Sequence, residues 1–311
     1  MQIRRYIKAI KKYTSSSDYR FLVNSGYGKY DDMPDAEYIS RKFSAVFGHR
    51  LSLETPRTFN EKLQWLKLYD RNPEYTVMVD KYKVRDYISD KIGSQYLIPL
   101  IGVWDDPNEI DFGVLPDKFV IKCNHDSGCG MCICKDKSTL NIRRVKSNLR
   151  RGLRQNYYLT GREWPYKDVP RKIIAEQFMK SDAGGLTDYK IHCFNGEPKL
   201  ILVCKDRFTS TGLTEDFFTP NWEHLDIRRP TCPNSSAEIA QPAELFEILA
   251  LAKKLSEGIP FLRVDLYIIE HKVYFSELTF YPASGFEKFV PERWDEILGS
   301  WLELPLIPAN Q

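Results

Sequence analysis

Apolar residues in the first third of the chain recur mostly at helical spacing. Residues 1–55 have a largely helical pattern, interrupted by a Gly- and Tyr-rich stretch at 24–30. From Thr58 onward the apolar positions again follow one helical face. Glu61 stands three residues after Thr58, which is the spacing of a capping box, in which each side chain bonds the backbone N–H of the other residue. The pattern therefore predicts a helix that begins at Thr58.

The remaining chain alternates helical patterns with short apolar runs bounded by Gly, Pro, Asn and Asp. Such runs are typical of strands, and Asn195-Gly196 is typical of a two-residue hairpin turn. Further helices are predicted at 76–92, 139–156 and 243–258. Strands are predicted at 118–122, 131–134, 172–179, 188–194, 198–204, 261–269 and 273–278. This mixture of helices and hairpins predicts an α+β fold with largely antiparallel sheets.

Composition narrows the class of protein. The chain has 311 residues, enough for a large core, and its 42% hydrophobic and 13% aromatic content is that of an ordered globular protein. Lys and Arg number 45 against 42 Asp and Glu, a net charge of +3 that gives no nucleic-acid signature. No run approaches the roughly 20 apolar residues of a membrane helix, and the start lacks a signal-peptide pattern. We expect a cytoplasmic protein.

The first thirteen residues combine basic and apolar side chains at helical spacing. The basic residues are Arg4, Arg5, Lys8, Lys11 and Lys12, and the apolar ones are Ile3, Tyr6, Ile7 and Ile10. One interpretation is a solvated helix that packs one stripe on the domain. The other is an interfacial helix at the inner face of the membrane, which would make peripheral membrane contact.

A polar, glycine-containing loop at 124–130 lies between two predicted strands and follows Lys122. Backbone without Cβ atoms can wrap phosphate oxygens with N–H donors, and a nearby Lys supplies charge. The loop is neither a Walker-type P-loop nor a dinucleotide-binding motif, because it lacks both signatures. Phosphate binding and a structural turn are both consistent with this pattern.

Two acidic residues stand on the last two predicted strands. With a three-residue connection, Asp265 would lie directly opposite Glu277 on one face of the hairpin, whereas a two-residue connection would place them on opposite faces. Opposed carboxylates repel each other unless a cation lies between them. Mg²⁺ would resolve this conflict by binding both carboxylates together with nucleotide phosphates. The alternative is a pair of solvated carboxylates.

Seven cysteines occur, four of them close together at Cys123, Cys129, Cys132 and Cys134. Their spacing lacks a pair of CxxC knuckles, so we favour reduced structural thiols over a zinc site.

The order of four features resembles the ATP-grasp superfamily, with D-alanine–D-alanine ligase as a close guide. These features are the Lys-bearing strand, the glycine loop, the strand 172–179 and the acidic hairpin. Four longer stretches resemble a narrower group, the TupA-like ATP-grasp proteins associated with teichuronopeptide and capsular-type polysaccharide synthesis. They are TFNEKLQWLKLYDRN (58–72), VDKYKVRDYI (79–88), FVIKCNHDSG (119–128) and ELTFYPASGF (277–286). The similarity runs from about residue 38 to 302.

The resemblance implies an ATP-grasp fold, in which two α+β subdomains hold ATP between antiparallel sheets, here with a helical amino-terminal extension. It implies four regions: the extension at 1–57, a region before the first grasp strand at 58–117, a small subdomain with the glycine flap at 118–179, and a large subdomain with the metal site at 180–311.

The resemblance also implies ATP and Mg²⁺ as cofactors and assigns roles to residues. Lys122 and Arg263 would be catalytic, Lys122 on the ATP phosphates and Arg263 on the transferring phosphoryl group. The phosphates would be covered by Ser127, Gly128 and Gly130. The adenine hinge would be Glu176, Gln177, Phe178 and Met179, and Asp188 would approach the ribose. Lys81 or Arg85 matches the place of a further phosphate-binding cation, unless it is simply a solvated helix residue.

Metal and acceptor residues are implied in the same way. Asp265 and Glu277 would bind Mg²⁺, and Thr279 stands where the superfamily usually has its last ligand, an Asn. The loop 281–288 directly follows the metal-binding strand and is either the acceptor surface or a plain turn. The candidate substrate residues are Lys205, Arg207, Ser284, Gly285 and Lys288.

The implied reaction is ATP-dependent ligation of a carboxylate to an amine through an acyl phosphate. By family analogy the substrates would be a uronic acid, free, nucleotide-linked or in a glycan, and an amino acid or amine. The alternatives are a glycosyltransferase, a kinase that stops at the phosphorylated product, and a non-catalytic nucleotide-binding module.

Overall fold

The computed structural model describes residues 2–126, 128, 130–180, 185–207, 209 and 212–306. Helices dominate the first ninety residues and strands the remainder. The α-helices are α1 (Gln2–Ser15), α2 (Ser17–Gly26), α3 (Asp35–Phe47), α4 (Phe59–Tyr69), α5 (Glu74–Val79), α6 (Val84–Lys91), α7 (Ile142–Arg154), α8 (Tyr157–Gly161), α9 (Leu245–Ser256) and α10 (Arg293–Trp301).

Two antiparallel sheets form the framework. The four-stranded sheet has the order β1-β4-β2-β3, and the five-stranded sheet has the order β7-β6-β5-β8-β9. The strands are β1 (Leu100–Trp104), β2 (Phe119–Cys123), β3 (Cys132–Cys134), β4 (Ile173–Gln177), β5 (Asp188–Phe194), β6 (Glu197–Lys205), β7 (Thr214–Phe218), β8 (Phe261–Ile269) and β9 (Lys272–Thr279). The predicted α+β class with antiparallel sheets is confirmed.

Each sheet has its own hydrophobic core. The larger core joins the five-stranded sheet to α4, α5, α6, α9 and α10, and the smaller core joins β2, β3 and β4 to α7. Strand β1, which lies within the predicted region 58–117, is an edge strand of the four-stranded sheet. The four region boundaries inferred from the sequence remain predictions.

Local chemistry explains where the helices before the sheets begin. The predicted capping box is present, because Thr58 accepts a hydrogen bond from the Glu61 N–H and the Glu61 side chain accepts from the Thr58 N–H. The single helix predicted at 76–92 is wrong, since it divides into α5 and α6. Asp80 separates the two helices, and its carboxylate accepts hydrogen bonds from the backbone N–H groups of Tyr82 and Lys83. A short polar side chain that bonds the backbone in this way favours a helix boundary.

The helical extension is anchored to the domain by the buried guanidinium of Arg162. This group donates to the carbonyls of Tyr30 and Asp31 at 2.7 and 3.0 Å. It also lies over the Tyr38 ring, 4.5 Å from the ring centroid. No described helix is long and apolar enough to cross a membrane. In α1, Ile7 and Ile10 are 61% and 64% exposed.

A buried polar junction fixes the turn Pro282–Gly285, which follows β9. The ammonium group of Lys67 in α4 is fully buried and donates to the Gly161 and Ser284 carbonyls, both at 2.7 Å, and to the Gln64 side chain at 2.8 Å. The residues Ala283, Ser284 and Gly285 all have positive φ. A turn of this kind is strained for residues other than Gly, so its neighbours must hold it in place.

Burial lowers the pKa of Lys67 to about 7 from an ordinary value of 10.5. Between those two values the unfolded chain therefore binds a proton at Lys67 that the folded chain does not, and stability rises with pH. We expect the free energy of unfolding of the wild type, relative to Lys67→Met, to increase between about pH 7.5 and about pH 9.5. Urea titrations measure this difference. The exposed Lys254→Met change is the control, and a pH-independent difference for Lys67→Met would contradict the prediction.

Candidate active site

The acidic pair lies on the hairpin of β8 and β9. Its connection has only two residues, Glu270 and His271, both with positive φ, as in a type I′ turn. A β-bulge between the Phe275 and Glu277 positions adds one residue to β9 and shifts the register. As a result Asp265 pairs directly with Glu277, the outcome expected for a three-residue connection. The predicted opposition is present, but the bulge and not the loop length produces it.

A guanidinium group lies between the two acids. Arg263 donates to Asp265 at 2.6 and 2.7 Å and to Glu277 at 3.3 Å. Residues 263 and 265 are two apart on one strand, so their side chains point to the same face. Lys190 of β5, which pairs with Asp265 in the sheet, adds a second ion pair to that carboxylate.

These cations decide the protonation state of Asp265, which is 1% exposed. Burial alone would raise its pKa. Arg263 and Lys190 outweigh burial and hold the pKa of Asp265 below its usual value. Burial also opposes the charged form of Lys190, but Asp265 raises the pKa of this lysine. The centre therefore contains an ionised carboxylate at neutral pH.

Asp188 extends the charge network along β5. It is 3.9 Å from the Lys190 ammonium and accepts a hydrogen bond from Arg207 at 3.1 Å. The structure thus places Asp188 and Arg207, predicted for ribose and anion contacts, beside the acidic pair. Lys205 is half-buried at the end of β6, where it pairs with Thr214.

The four-stranded sheet contributes a second cationic group. Lys122 of β2 forms an ion pair with Glu176 of β4 at 2.6 Å, and Arg85 of α6 reaches the same carboxylate at 3.3 Å. Arg85 also donates to the Ile98 carbonyl at 2.8 Å. Glu176 lies inside β4, and its side chain is paired with the two cations predicted to bind phosphates.

The segment 81–85 connects the two groups. The Lys81 ammonium is 3.7 Å from Glu277 and donates to the Asp126 carbonyl in the glycine loop at 2.6 Å. The Lys81 backbone N–H donates to the Asn124 carbonyl. Lys81 precedes Arg85 by four residues. One short segment therefore reaches the loop, the acidic pair and the Lys122 ion pair.

The glycine loop packs against α7. A Cβ atom on Gly130 would lie 3.1–3.2 Å from Cys123, Asn148 and Gly152, so only glycine fits without displacing its neighbours. Gly128 has a φ of +95° and donates to the Asp126 carboxylate at 3.2 Å. Burial raises the pKa of Asp126 to about 6. Ser127, predicted to cover the phosphates, lies outside the described residues.

The predicted adenine hinge begins at the end of β4. The Gln177 N–H donates to the Pro99 carbonyl at 2.9 Å. Phe178 and Met179 follow the strand and are half-buried. Their contact with a base remains a prediction.

The donor set fits one magnesium ion. Mg²⁺ prefers oxygen ligands and is usually held by one or two carboxylates, with phosphates and water completing its shell. Asp265 and Glu277 meet that requirement. No group of three or more His, Cys, Asp or Glu side chains suited to a metal occurs among the described residues. Thr279 accepts a hydrogen bond from Arg263 at 3.1 Å, so its hydroxyl positions this guanidinium.

The candidate acceptor residues have other partners. Ser284 donates to the buried carboxylate of Glu163, and burial raises the pKa of that carboxylate. Gly285 accepts from the Gln64 amide at 2.5 Å. The Lys288 ammonium is 5.9 Å from the centroid of the Phe47 ring in α3. Ser284 and Gly285 thus belong to the Lys67 junction, and Lys288 lies against the extension.

The clustered thiols bond backbone carbonyls. Cys123 donates to Leu149 at 3.8 Å and Cys134 to Asp117 at 3.6 Å. Burial raises the pKa of Cys132 and of Cys134, which disfavours the thiolate form that zinc requires. Cys129 lies outside the described residues.

Two surface cavities lie away from these charges. One, of about 470 Å³, is between α5, α6 and the end of α9, and the other, of about 420 Å³, is at residues 228–233. Neither cavity is lined by the residues of the candidate site. The site is identified by buried charges contributed from both sheets.

Two functional candidates were missed from the sequence. Lys190 could have been found, because Asp188, Lys190 and His192 alternate along one strand and therefore share a face. Lys67 carries no comparable signal, since its partners come from segments about 94 and 217 residues away.

Comparison with known proteins gives one sequence match and several distant structures. A crystal structure of D-alanine–D-alanine ligase from Helicobacter pylori is 17% identical, with a TM-score of 0.43, over 79% of this chain and 69% of that one. The Bacillus anthracis D-alanine–D-alanine ligase complexed with ATP is 17% identical, with a TM-score of 0.39, over 66% and 54%. The ATP-grasp ligase PsnB complexed with its minimal precursor, Mg and ADP is 12% identical, with a TM-score of 0.37, over 71% and 57%.

No curated protein is detectably similar in sequence. The sequence profile of the TupA-like ATP-grasp family matches residues 61–303. This match includes both sheets and every predicted site residue. Since it covers well over half of the 311 residues, the chain belongs to the TupA-like ATP-grasp family and has the ATP-grasp fold.

Proposed function

We propose that the protein is an ATP-dependent ligase that joins a carboxylate to an amine. The observation that carries this proposal is the arrangement of Lys122 and the Arg263–Asp265–Glu277 group, which come from different sheets and are connected by the segment 81–85. A triphosphate needs cations on its oxygens and carboxylates for its metal, and both are present here.

The first chemical step is phosphoryl transfer. A carboxylate oxygen of the substrate attacks the γ-phosphorus of ATP, the bond to the bridging oxygen breaks, and ADP leaves. Lys122 and Arg263 stabilise the charge on the phosphate oxygens through preorganised donors in a low-dielectric site. When bound by Asp265 and Glu277, Mg²⁺ would supply further charge neutralisation on the phosphates.

The second step forms the amide. The amine nitrogen attacks the carbonyl carbon of the acyl phosphate, the carbon–oxygen bond to phosphate breaks, and the amine loses a proton. No protein nucleophile is needed, so none of the cysteines has a catalytic role. Water must be kept away from the acyl phosphate, and the glycine loop, in which Asp126 is bound by Lys81 and Gly130 lies against α7, would cover it.

The substrates are a uronic acid and an amino acid or amine, within synthesis of a surface polysaccharide. This part of the proposal is supported by the family match and by the cations Lys190 and Arg207 beside Asp188. We further propose that α1 makes peripheral contact with an anionic membrane, because its exposed Ile7 and Ile10 lie among basic residues.

Incubation with ATP, Mg²⁺, uronic acids and a panel of amines tests the reaction. We expect ADP, phosphate and a conjugate whose mass is the sum of the two substrates less one water, measured by mass spectrometry. Release of UDP from a nucleotide sugar would instead indicate glycosyl transfer. A phosphorylated product without conjugate would indicate a kinase. ATP binding with no turnover under any condition would indicate a nucleotide-binding module.

Single changes in the two charge groups should remove turnover and leave the fold intact. Lys122→Ala and Glu277→Gln should each lower kcat by roughly a hundredfold or more, because the first removes a cation from the phosphate oxygens and the second removes a magnesium ligand. Circular dichroism and ADP release are measured on the same samples. The exposed Lys254→Ala and Glu238→Gln are the matched controls, and near-normal rates in Lys122→Ala or Glu277→Gln would show that the residue is misassigned.

Vesicle sedimentation tests the contact made by α1. The wild type should bind vesicles that contain phosphatidylglycerol and should not bind pure phosphatidylcholine. Each basic residue near an anionic surface contributes about 1 kcal/mol, so Lys8→Glu, Lys11→Glu and Lys12→Glu together should weaken binding by roughly a hundredfold. Equal binding of the triple variant and the wild type would refute the membrane proposal.

A further inference from the structure

Helix α7 carries a concentration of positive charge that the proposed chemistry does not use. Its sequence, IRRVKSNLRRGLR, contains six basic residues and no acidic one. This contrasts with the near balance of 45 basic and 42 acidic residues in the whole chain. Val145, Leu149 and Gly152 are the buried residues of the helix, so the charge lies on the opposite side. The basic residues are Arg143, Arg144, Lys146, Arg150, Arg151 and Arg154.

These cations have no anionic partner among the described residues. None of the six forms an ion pair with any residue that the structure describes. Arg150 donates to Asn108 and Arg151 to Asn148, both neutral side chains. Arg143, Arg144 and Arg154 are exposed and make no side-chain hydrogen bond to the described residues. A row of like charges without compensation is suited to an external polyanion.

The helix lies directly against the glycine loop. The His125 ring bonds the Gln155 carbonyl just after the helix at 3.2 Å, and the position of a Gly130 Cβ is 3.2 Å from the Asn148 carbonyl. Arg143 and Arg154 are eleven residues apart, a length of about 16 Å along the helix. A linear polymer lying on this surface would therefore pass beside the loop that borders the candidate active site.

The side chains distinguish among possible polyanions. Five of the six cations are Arg, whose planar fork matches a carboxylate or a phosphate in bidentate geometry, and the proposed reaction uses a carboxylate. The exposed face has no aromatic residue on which a nucleic-acid base could stack. Ile142, at the start of α7, is the exposed large hydrophobic residue of this helix. The arginine row therefore lacks the several apolar anchors of an interfacial membrane helix.

From these observations we infer that the exposed face of α7 binds a polyuronate chain, a polymer that carries one carboxylate on each sugar. The inference rests on the proposed function, because it identifies the carboxylate substrate as a sugar within an acidic polymer. The polymer is held by α7 while one of its carboxylates is in the active site.

Direct binding of polygalacturonate tests the inference without requiring turnover. The full chain should bind this polymer, with an affinity that falls as salt increases, and should not bind neutral dextran. Arg143→Glu, Arg144→Glu and Arg154→Glu together should weaken binding by at least about tenfold, because three ion pairs are replaced by three repulsions. These three residues have no described partners, so the change should leave the fold and ATP affinity unaltered.

The matched control changes the charge equally on another basic helix. Lys8→Glu, Lys11→Glu and Lys12→Glu together should leave polygalacturonate binding unchanged. Equal weakening by both triple variants would overturn the inference, because the effect would then be one of total charge. Tighter binding of poly-glutamate, RNA or phosphatidylglycerol vesicles to the α7 face would overturn it in favour of that partner.

Kinetics separate this inference from the proposed function. The α7 triple variant should keep the wild-type kcat/KM for a monomeric uronic acid and show a higher KM for the polymer. If no carboxylate supports ADP release, the proposed ligase function is wrong. The measurement of polygalacturonate binding would then still test whether α7 binds the polymer. If monomer and polymer lose activity equally, α7 does not select the polymer and the inference is wrong.

Discussion

The candidate active site depends on one interaction, the ion pair of Arg263 with the buried Asp265 and the half-buried Glu277. Two carboxylates that face each other across a hairpin would destabilise it, and Asp265 is almost fully removed from water. Arg263 is two residues from Asp265 on the same strand, so the pleat alone places the guanidinium between them. Breaking a buried ion pair costs about 3–5 kcal/mol because the remaining charge is left without a partner. The hairpin and its charges therefore stabilise each other.

The other charges of the site are neutralised by opposite charges in the same way. Each cation predicted to bind phosphate is paired with a carboxylate: Lys122 with Glu176, and Lys81 with Glu277. On the proposed function, phosphate oxygens would replace the carboxylates as partners of these cations when ATP binds, and a metal ion would bind the acids. Because the Lys81 ammonium also donates to the Asp126 carbonyl, this exchange would change a contact of the glycine loop.

The sequence allowed much of the fold to be predicted, for identifiable reasons. The strands Asp188–Phe194 and Phe261–Ile269 lie between clear turn signals, and their predicted limits were correct. Asp265 and Glu277 were expected to face each other only across a three-residue connection. A bulge at Ser276, which has no sequence signal, produces the same pairing with a two-residue connection. Helical periodicity continues through Asp80, so the break there was not visible. The Lys67 junction joins residues distant in sequence, which no local pattern can reveal.

A crystal structure with Mn²⁺ and a non-hydrolysable ATP analogue would show where the metal and the phosphates bind. We expect an anomalous Mn²⁺ peak in direct contact with Asp265 and Glu277, and phosphate oxygens between Lys122 and Arg263. A nucleotide bound elsewhere, or a metal that contacts neither carboxylate, would contradict this expectation.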